Sequence, residues 1–255
     1  MSVVIDLSGQ AALVTGASQG IGAEIARALH RAGARVVINH PDQGEGRTRA
    51  DADGLAEELN AARDGDALVL AADVADPSAV REMMRAVAER WGGIEILVNN
   101  AGILRDRSVA KMGLDDWRSV LDVNLSGVFH CCKYGLEILR DGGAIVNMGS
   151  LAAEAGFYGQ ANYAAAKAGV HALTRVLSRE CARRSIRVNS VAPGVIDTTI
   201  MAAVPEPIRA EMVQAIPWRR FGSPQEIANA VLFLCSPLAS YITGHRLDVD
   251  GGWRG

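Results

Sequence analysis

Short runs of aliphatic and β-branched residues recur along the chain, separated by longer stretches whose apolar positions fall at helical spacing. AALVT (11–15), RVVIN (35–39), ALVLAAD (67–73), IEILVN (94–99), AIVNMG (144–149), RVNSVA (187–192) and HRLDVD (245–250) make seven candidate strands. Their nearly continuous apolarity suits strands buried on both faces, not strands with one wet face. Between them, IGAEIARALHRAG, PSAVREMMRAVAERWG and NYAAAKAGVHALTRVLSRECARR read as helices. The order βαβαβ with right-handed crossovers predicts an α/β, doubly wound, Rossmann-type fold, with a seven-stranded parallel sheet flanked by helices in a single domain spanning residues 1–255.

Two stretches interrupt the alternation. HPDQGEGRTRADA, from His40 to Ala52, is rich in Gly, Asp and Arg and predicts a surface loop after the second strand. Residues 195–222 hold three prolines and an amphipathic helix of their own, the pattern expected of a substrate lid. With 26 basic against 29 acidic residues, the net charge of −3 provides no field for nucleic acid or an anionic membrane. MSVVIDLSGQ lacks the basic-then-apolar pattern of a signal peptide, and no apolar run approaches a membrane span, so the expected location is cytoplasmic. Cys131, Cys132, Cys181 and Cys235 show no CxxC spacing and read as small core residues, and the histidines and cysteines form no ligand-spaced cluster for a metal.

TGASQGIG follows the first strand directly and places Gly16, Gly20 and Gly22 at the mouth of the first helix. Glycines there let the backbone turn tightly and approach a pyrophosphate, while the helix amides and dipole attract its charge. Ser18, Gln19 and Ile21 complete this candidate dinucleotide turn. About 20 residues further on, where a carboxylate would bind the ribose of NAD, stand Asn39 and His40. With no carboxylate to repel a 2′-phosphate, and with His40, Arg47 and Arg49 to attract one, NADP(H) is favoured over NAD(H), although those arginines could simply solvate a loop. Asp73, followed by Val74, is placed either to meet the adenine edge or to cap the helix ahead of Pro77.

Tyr163 and Lys167 lie four apart in NYAAAK, hence on one helical face. A neighbouring ammonium favours the phenolate, so such a pair can exchange a proton as hydride moves to or from carbon. Ser150, at the end of the fifth strand, could steady a substrate oxygen, and Asn124, in the long helix starting near Leu114, could anchor a proton relay. Each of these residues taken singly could be structural.

Taken together, TGASQGIG, NNAG at 99–102, Asn124, Ser150 thirteen residues before Tyr163, YAAAK and PGVIDT at 193–198 resemble the short-chain dehydrogenase/reductase family from about residue 7 onward. The resemblance implies a catalytic tetrad of Asn124, Ser150, Tyr163 and Lys167, with Tyr163 the proton donor in reduction. It implies that Asn100, Ala101 and Gly102 line the adenosine side, that Pro193, Gly194, Ile196 and Thr198 hold the nicotinamide, and that Tyr163 and Lys167 also touch the cofactor. It further implies a homotetramer built through the helices carrying Asn124 and Tyr163 and through the last strand. NNAGILRD, GQANYAAAKAG and EIANAV followed by YITG are most similar to 3-oxoacyl-(acyl-carrier-protein) reductases and acetoacetyl-CoA reductases, with acyl carrier protein as a possible partner. Gln19 in place of Arg or Lys, the long loop after strand two and His130 in place of a docking Arg depart from that pattern, whereas Arg184 keeps a second docking position. GFYG at 156–159 adds two aromatics beside the expected substrate site. An NAD-dependent dehydrogenase of a sugar or secondary alcohol, and a non-catalytic cofactor-binding regulator, are the alternative expectations.

Overall fold

The computed structural model describes residues 4–41, 47–198, 201 and 204–253. Seven parallel strands form one sheet: β1 Ala11–Val14, β2 Arg35–His40, β3 Ala67–Ala71, β4 Ile94–Asn99, β5 Leu139–Met148, β6 Arg187–Pro193 and β7 Arg246–Val249. Their spatial order is β3-β2-β1-β4-β5-β6-β7, so the order reverses between β1 and β4. That reversal leaves a crevice at the carboxyl ends of the strands, because the two following connections leave in opposite directions.

Alternate residues along each strand face opposite layers. Val14, Val36, Ile38, Val98 and Val146 pack towards α1 (Gly20–Arg31), α2 (Arg47–Ala62) and the helix after the 195–222 segment. Leu13, Val37, Leu97, Ile145 and Val188 pack towards α3 (Pro77–Trp91) and, in the region of the long helices, against Val128, Cys131 and Val170. Burying a side chain of this size stabilises the fold by roughly 1.5–3 kcal/mol relative to exposure, which explains why these strands read as unbroken apolar runs. All four cysteines are free and buried in these layers, as their sequence context predicts.

Two elements differ from the pattern in the sequence. The predicted His40–Ala52 loop is shorter, because α2 already begins at Arg47, and His40 closes β2. Ala52, Leu55, Ala56 and Leu59 supply the buried stripe of α2, and the polar Arg-Thr-Arg turn preceding it masked the helix start. Residues 42–46 lie outside the described residues. The long helix carrying Asn124 is also not uniform: α4 (Leu114–Leu121) runs into α5 (Gly127–Ile138) through a π-helical turn at Asp122–Ser126.

After β5 come a short helix, α6 (Ala152–Ala155), and the 20-residue α7 (Ala161–Glu180). Between β6 and α9 (Pro224–Cys235), the 195–222 segment carries α8 (Glu206–Ala215), a helix with no buried residue. The base of this segment is closed by the Asp197 amide donating to Gly222 O and the Gly222 amide donating to Val195 O (2.8 and 3.0 Å). No helix among the described residues is long and apolar enough to cross a membrane.

The α9 start is fixed locally. Ser223 Oγ accepts from the Glu226 amide, the Glu226 carboxylate accepts from the Ser223 amide, and Pro224 presets the first turn. Replacing Ser223 with Ala is expected to lower stability by about 1 kcal/mol, read as a shift in the urea midpoint at unchanged slope.

Candidate active site

The glycine-rich turn is built by backbone proximity. Gly16 has φ of +60°, and a Cβ there would lie 2.8 Å from Ala101 Cα; a Cβ on Gly22 would lie 2.3 Å from Gly16 O. Only glycine lets β1, the turn and the 99–102 segment close this tightly. Asn100 locks the closure, its Nδ2 donating to Thr15 O (2.9 Å) and Gly16 O (3.0 Å). Thr15 Oγ1 accepts from the amides of Asn100 and Ala101 at 2.9 and 3.0 Å. Thr15 thus organises two stretches at once, a role invisible in a sequence where it reads as the last residue of a strand.

Gly20 (φ +58°) differs from its neighbours, because nothing lies within 4 Å of the Cβ it lacks. Its open side coincides with the start of α1, where Gln19 makes no side-chain cap bond and no acidic residue occupies the first turn. By contrast, α3 is capped by the Asp76 carboxylate and α9 by Ser223. An uncapped helix start with free amides fits a phosphate anion. Ser18 is buried in this turn, and Ile21 is half-buried on the helix.

At the adenosine end the structure redistributes roles. Asn39 is buried, its Oδ1 accepting from the Gly16 amide (3.2 Å) and its Nδ2 reaching Leu70 O and Ala72 O, so it braces the turn against β3. His40 is 2% exposed with Nδ1 2.8 Å from Pro41 O; it is therefore not the accessible cation expected from its position, because β2 extends one residue further and carries it inside. Arg47 and Arg49 open α2 as exposed side chains, Arg49 beside Asp53. The capping alternative for Asp73 is also corrected. Asp76 caps α3, since Pro77 occupies the first helical position and the N-cap must precede it directly, whereas Asp73 Oδ1 accepts from the Ala75 amide. Val74 is buried, and its carbonyl lies 3.0 Å from His130 Nδ1.

The four candidate catalytic residues converge at the carboxyl edge of β4 and β5. Asn124 sits inside the π-helical turn, fully buried; Nδ2 donates to Ile103 O (2.8 Å) and Val120 O (3.0 Å), and Oδ1 accepts from the Ile103 amide (3.2 Å). A Cβ on Gly102 would lie 2.5 Å from that Oδ1. Ser150 follows β5 near the Tyr163 phenol, and its Oγ accepts from the Ala152 amide. Lys167 Nζ donates to Met148 O at 2.7 Å and lies 5.5 Å from the centre of the Tyr163 ring.

Electrostatics here differ from the simple Tyr/Lys argument. Burial pushes the Tyr163 phenol above its ordinary 10.0; the nearby Ser150 hydroxyl opposes this and the negative Asp106 reinforces it. Burial also pushes the Lys167 ammonium down to about 8. The ammonium is held by a backbone carbonyl over the ring face, and desolvation dominates the phenol. The resting phenol therefore carries its proton at neutral pH, the form a reduction requires.

Several supporting residues carried no sequence signal. Asn162 is fully buried, donates to Arg105 O and Asp116 O, and accepts from the Tyr163 amide, tying the first turn of α7 to the 103–107 segment. Gln160 Nε2 donates to Asp106 (2.8 Å). Deeper, Asn99 donates to Asn147 and Asn147 to Thr174 (2.8 and 2.9 Å), joining β4, β5 and α7. Pro193 ends β6, its carbonyl accepting from the Leu151 amide, and Gly194 follows; Ile196 turns into the core, and Thr198 is half-buried. Phe157 packs on Trp253 with ring centres 5.2 Å apart, whereas Tyr158 stands in solvent. Arg184, expected as a docking residue, is occupied inside the chain by Asp141, Leu136 O and Leu139 O.

A strand-order reversal with an uncapped, glycine-lined helix start on one side and a Tyr–Ser–Lys cluster on the other fits a dinucleotide-dependent oxidoreductase. Residues 16–254 match a family model described as enoyl-(acyl carrier protein) reductase. A Staphylococcus aureus 3-oxoacyl-[acyl-carrier-protein] reductase is 42% identical over 245 residues, covering 95% of this chain and 97% of the relative. Among solved structures, a short-chain dehydrogenase/reductase from Serratia marcescens is 35% identical with a TM-score of 0.91, covering 98% of this chain and 99% of the other. A blue fluorescent protein from a metagenomic library, in complex with NADPH, is 36% identical with a TM-score of 0.92, covering 98% of this chain and all of the other (100%). The chain belongs to the short-chain dehydrogenase/reductase family and is an NAD(P)-dependent oxidoreductase acting on CH–OH/C=O groups.

Because Lys167 titrates near 8 when folded against an ordinary 10.5, the unfolded chain binds more protons in that window. The burial cost is full below pH 8 and is relieved as pH rises towards 10.5. Urea unfolding of the cofactor-free protein should therefore show the parent gaining stability relative to Lys167→Met across this range; parallel pH profiles would contradict the assignment.

Proposed function

We propose that this enzyme reduces a 3-oxoacyl thioester, carried by acyl carrier protein or coenzyme A, to the 3-hydroxyacyl form with NADPH. The observation that carries the chemistry is the placing of the Tyr163 ring over Lys167, whose ammonium is held by Met148 O at the end of β5, just before Ser150. The substrate reading is supported by the 42% identity to a reductase named for that substrate. NADPH is supported by the neighbour that binds it and by the lack of a carboxylate at the end of β2.

When bound, the nicotinamide supplies the hydride that reaches the carbonyl carbon. Residues Gly16, Ser18, Gln19, Gly20, Ile21 and Gly22 would face the pyrophosphate. Asp73, Val74, Asn100, Ala101 and Gly102 would line the adenosine side, Pro193, Gly194, Ile196 and Thr198 the nicotinamide side, and Arg47 would meet the 2′-phosphate. Ser150 Oγ orients the carbonyl oxygen, and Tyr163 Oη gives that oxygen its proton, so the phenol O–H breaks as the new alcohol O–H forms. The Lys167 ammonium stabilises the phenolate left behind, and Asn124 holds the adjoining backbone open for the phenolate to recover a proton from solvent. The 195–222 segment serves as a lid, because its helix is anchored at the base and buries nothing.

A homotetramer is part of this reading. Trp117, Phe129 and Val176 on α4, α5 and α7, together with Leu238 and Tyr241 before β7, leave apolar surface for partner copies. The protein works in the cytoplasm, and acyl carrier protein would have to dock without Arg184 unless its ion pair to Asp141 opens.

With acetoacetyl-CoA as substrate, oxidation of NADPH followed at 340 nm should far exceed that of NADH, and Tyr163→Phe should abolish turnover while cofactor affinity is kept. Retained activity in Tyr163→Phe would overturn the mechanism. Turnover with a secondary alcohol and NAD alone would move the enzyme to a dehydrogenase of that class. Arg47→Ala should raise KM for NADPH about tenfold, the scale of one charged hydrogen bond, with NADH unaffected.

A further inference from the structure

Tyr163 and Lys167 continue along α7 to a third polar residue on the same stripe, His171, another four positions on. Its ring does not face solvent as a surface histidine would. Nδ1 lies 3.0 Å from Ser190 Oγ on β6, and Nε2 is sealed from solvent without a hydrogen bond. The imidazole also occupies the space of a side chain at residue 149: a Cβ on Gly149 would lie 2.0 Å from His171 Cε1 and 2.7 Å from Nε2. Gly149 immediately precedes Ser150, and its amide donates to Val191 O at 2.7 Å.

We infer that His171 is a positioning residue whose imidazole, wedged between Gly149 and Ser190, sets the height of Ser150 against the Tyr163–Lys167 pair. The inference rests on the tetrad assignment given above. Lys167 fastens α7 to Met148 O, and one turn further on the His171 ring fills the space beside Gly149, the residue before Ser150. The backbone carrying Ser150 is thus gripped from one helix at two successive levels. Packing alone does not account for the choice of side chain, since an aliphatic residue would fill the space without stranding a buried nitrogen. Burial, Arg246 and Lys167 push the ring's pKa below its ordinary value, against the opposing pull of the Ser150 backbone and Glu154. A neutral ring serves as a spacer without adding a second cation beside Lys167.

The test compares His171→Leu, His171→Asn and Gly149→Ala with the parent holoenzyme, measuring kcat, KM, cofactor affinity by fluorescence titration and thermal midpoint. His171→Leu should lower kcat about tenfold, the scale expected for sub-ångström misplacement of a catalytic group, with cofactor affinity within about twofold and no matching loss of thermal midpoint. His171→Asn keeps a polar atom near the Nδ1 position and should recover most of kcat. Gly149→Ala should lower kcat similarly and be relieved when combined with His171→Ala, which removes the ring it strikes. Should His171→Leu fail to fold, Ser190→Ala reads the same hydrogen bond with the ring in place and should lower kcat several-fold. A kcat within twofold of the parent in His171→Leu or in Ser190→Ala, while Tyr163→Phe is inactive, would overturn this inference alone. A kcat loss that follows the thermal midpoint and is not recovered by His171→Asn would overturn it too. Activity in Tyr163→Phe would instead overturn the underlying mechanism.

Discussion

The carboxyl end of β5 and the first turns of α7 are joined by buried polar groups, and the chemistry of the site depends on that joint. Lys167 donates a hydrogen bond to Met148 O, and the Asn99–Asn147–Thr174 chain runs through Asn147, the residue before Met148 on β5. Each bond is worth little net in water-exposed surroundings, but a buried polar group left without its partner costs about 1–3 kcal/mol. The helix therefore has few alternative registers against the strand. A shift of one residue would strand several of these groups together.

That constraint has electrostatic consequences. The same burial that locks the joint raises the phenol of Tyr163 and depresses Lys167. The two shifts hold the pair in a protonated phenol state without a direct Tyr–Lys bond. The ammonium is then available to offset charge as it develops on the phenolate, when it is worth most. Opposite this cluster, the crevice ends in a helix start with no cap of its own. A negative ligand at one end and a proton donor at the other are therefore presented by two different halves of the sheet, joined through Thr15 and Asn100.

Where the sequence was ambiguous, the cause was usually a side chain serving two neighbours. Asn39 and His40 stand where an adenosine contact belongs, yet one braces the glycine turn and the other is drawn inside by the extra residue of β2. Arg184 has the charge for an external partner but is spent on Asp141 and two carbonyls. Asp73 and Asp76 both precede Pro77 closely, and only backbone geometry selects Asp76 as the cap. In each case the residue type suggested a function that depends on exposure, and exposure is a property of the packed chain.

The sequence by itself determined the α/β alternation, the seven strands and the family to which the chain belongs. Unbroken apolar runs suit only a sheet covered on both faces, and Gly16, Gly20, Gly22, Ser150, Tyr163 and Lys167 lie at spacings that local geometry makes meaningful. Only the tertiary structure decided which polar side chains face the crevice and which are consumed in holding it. It tied Asn124 to Ile103, Asn162 to Arg105 O and Asp116 O, and set His171 against Gly149. Those arrangements join residues from separate strands and helices, and no local period carries information about contacts that only the folded sheet creates.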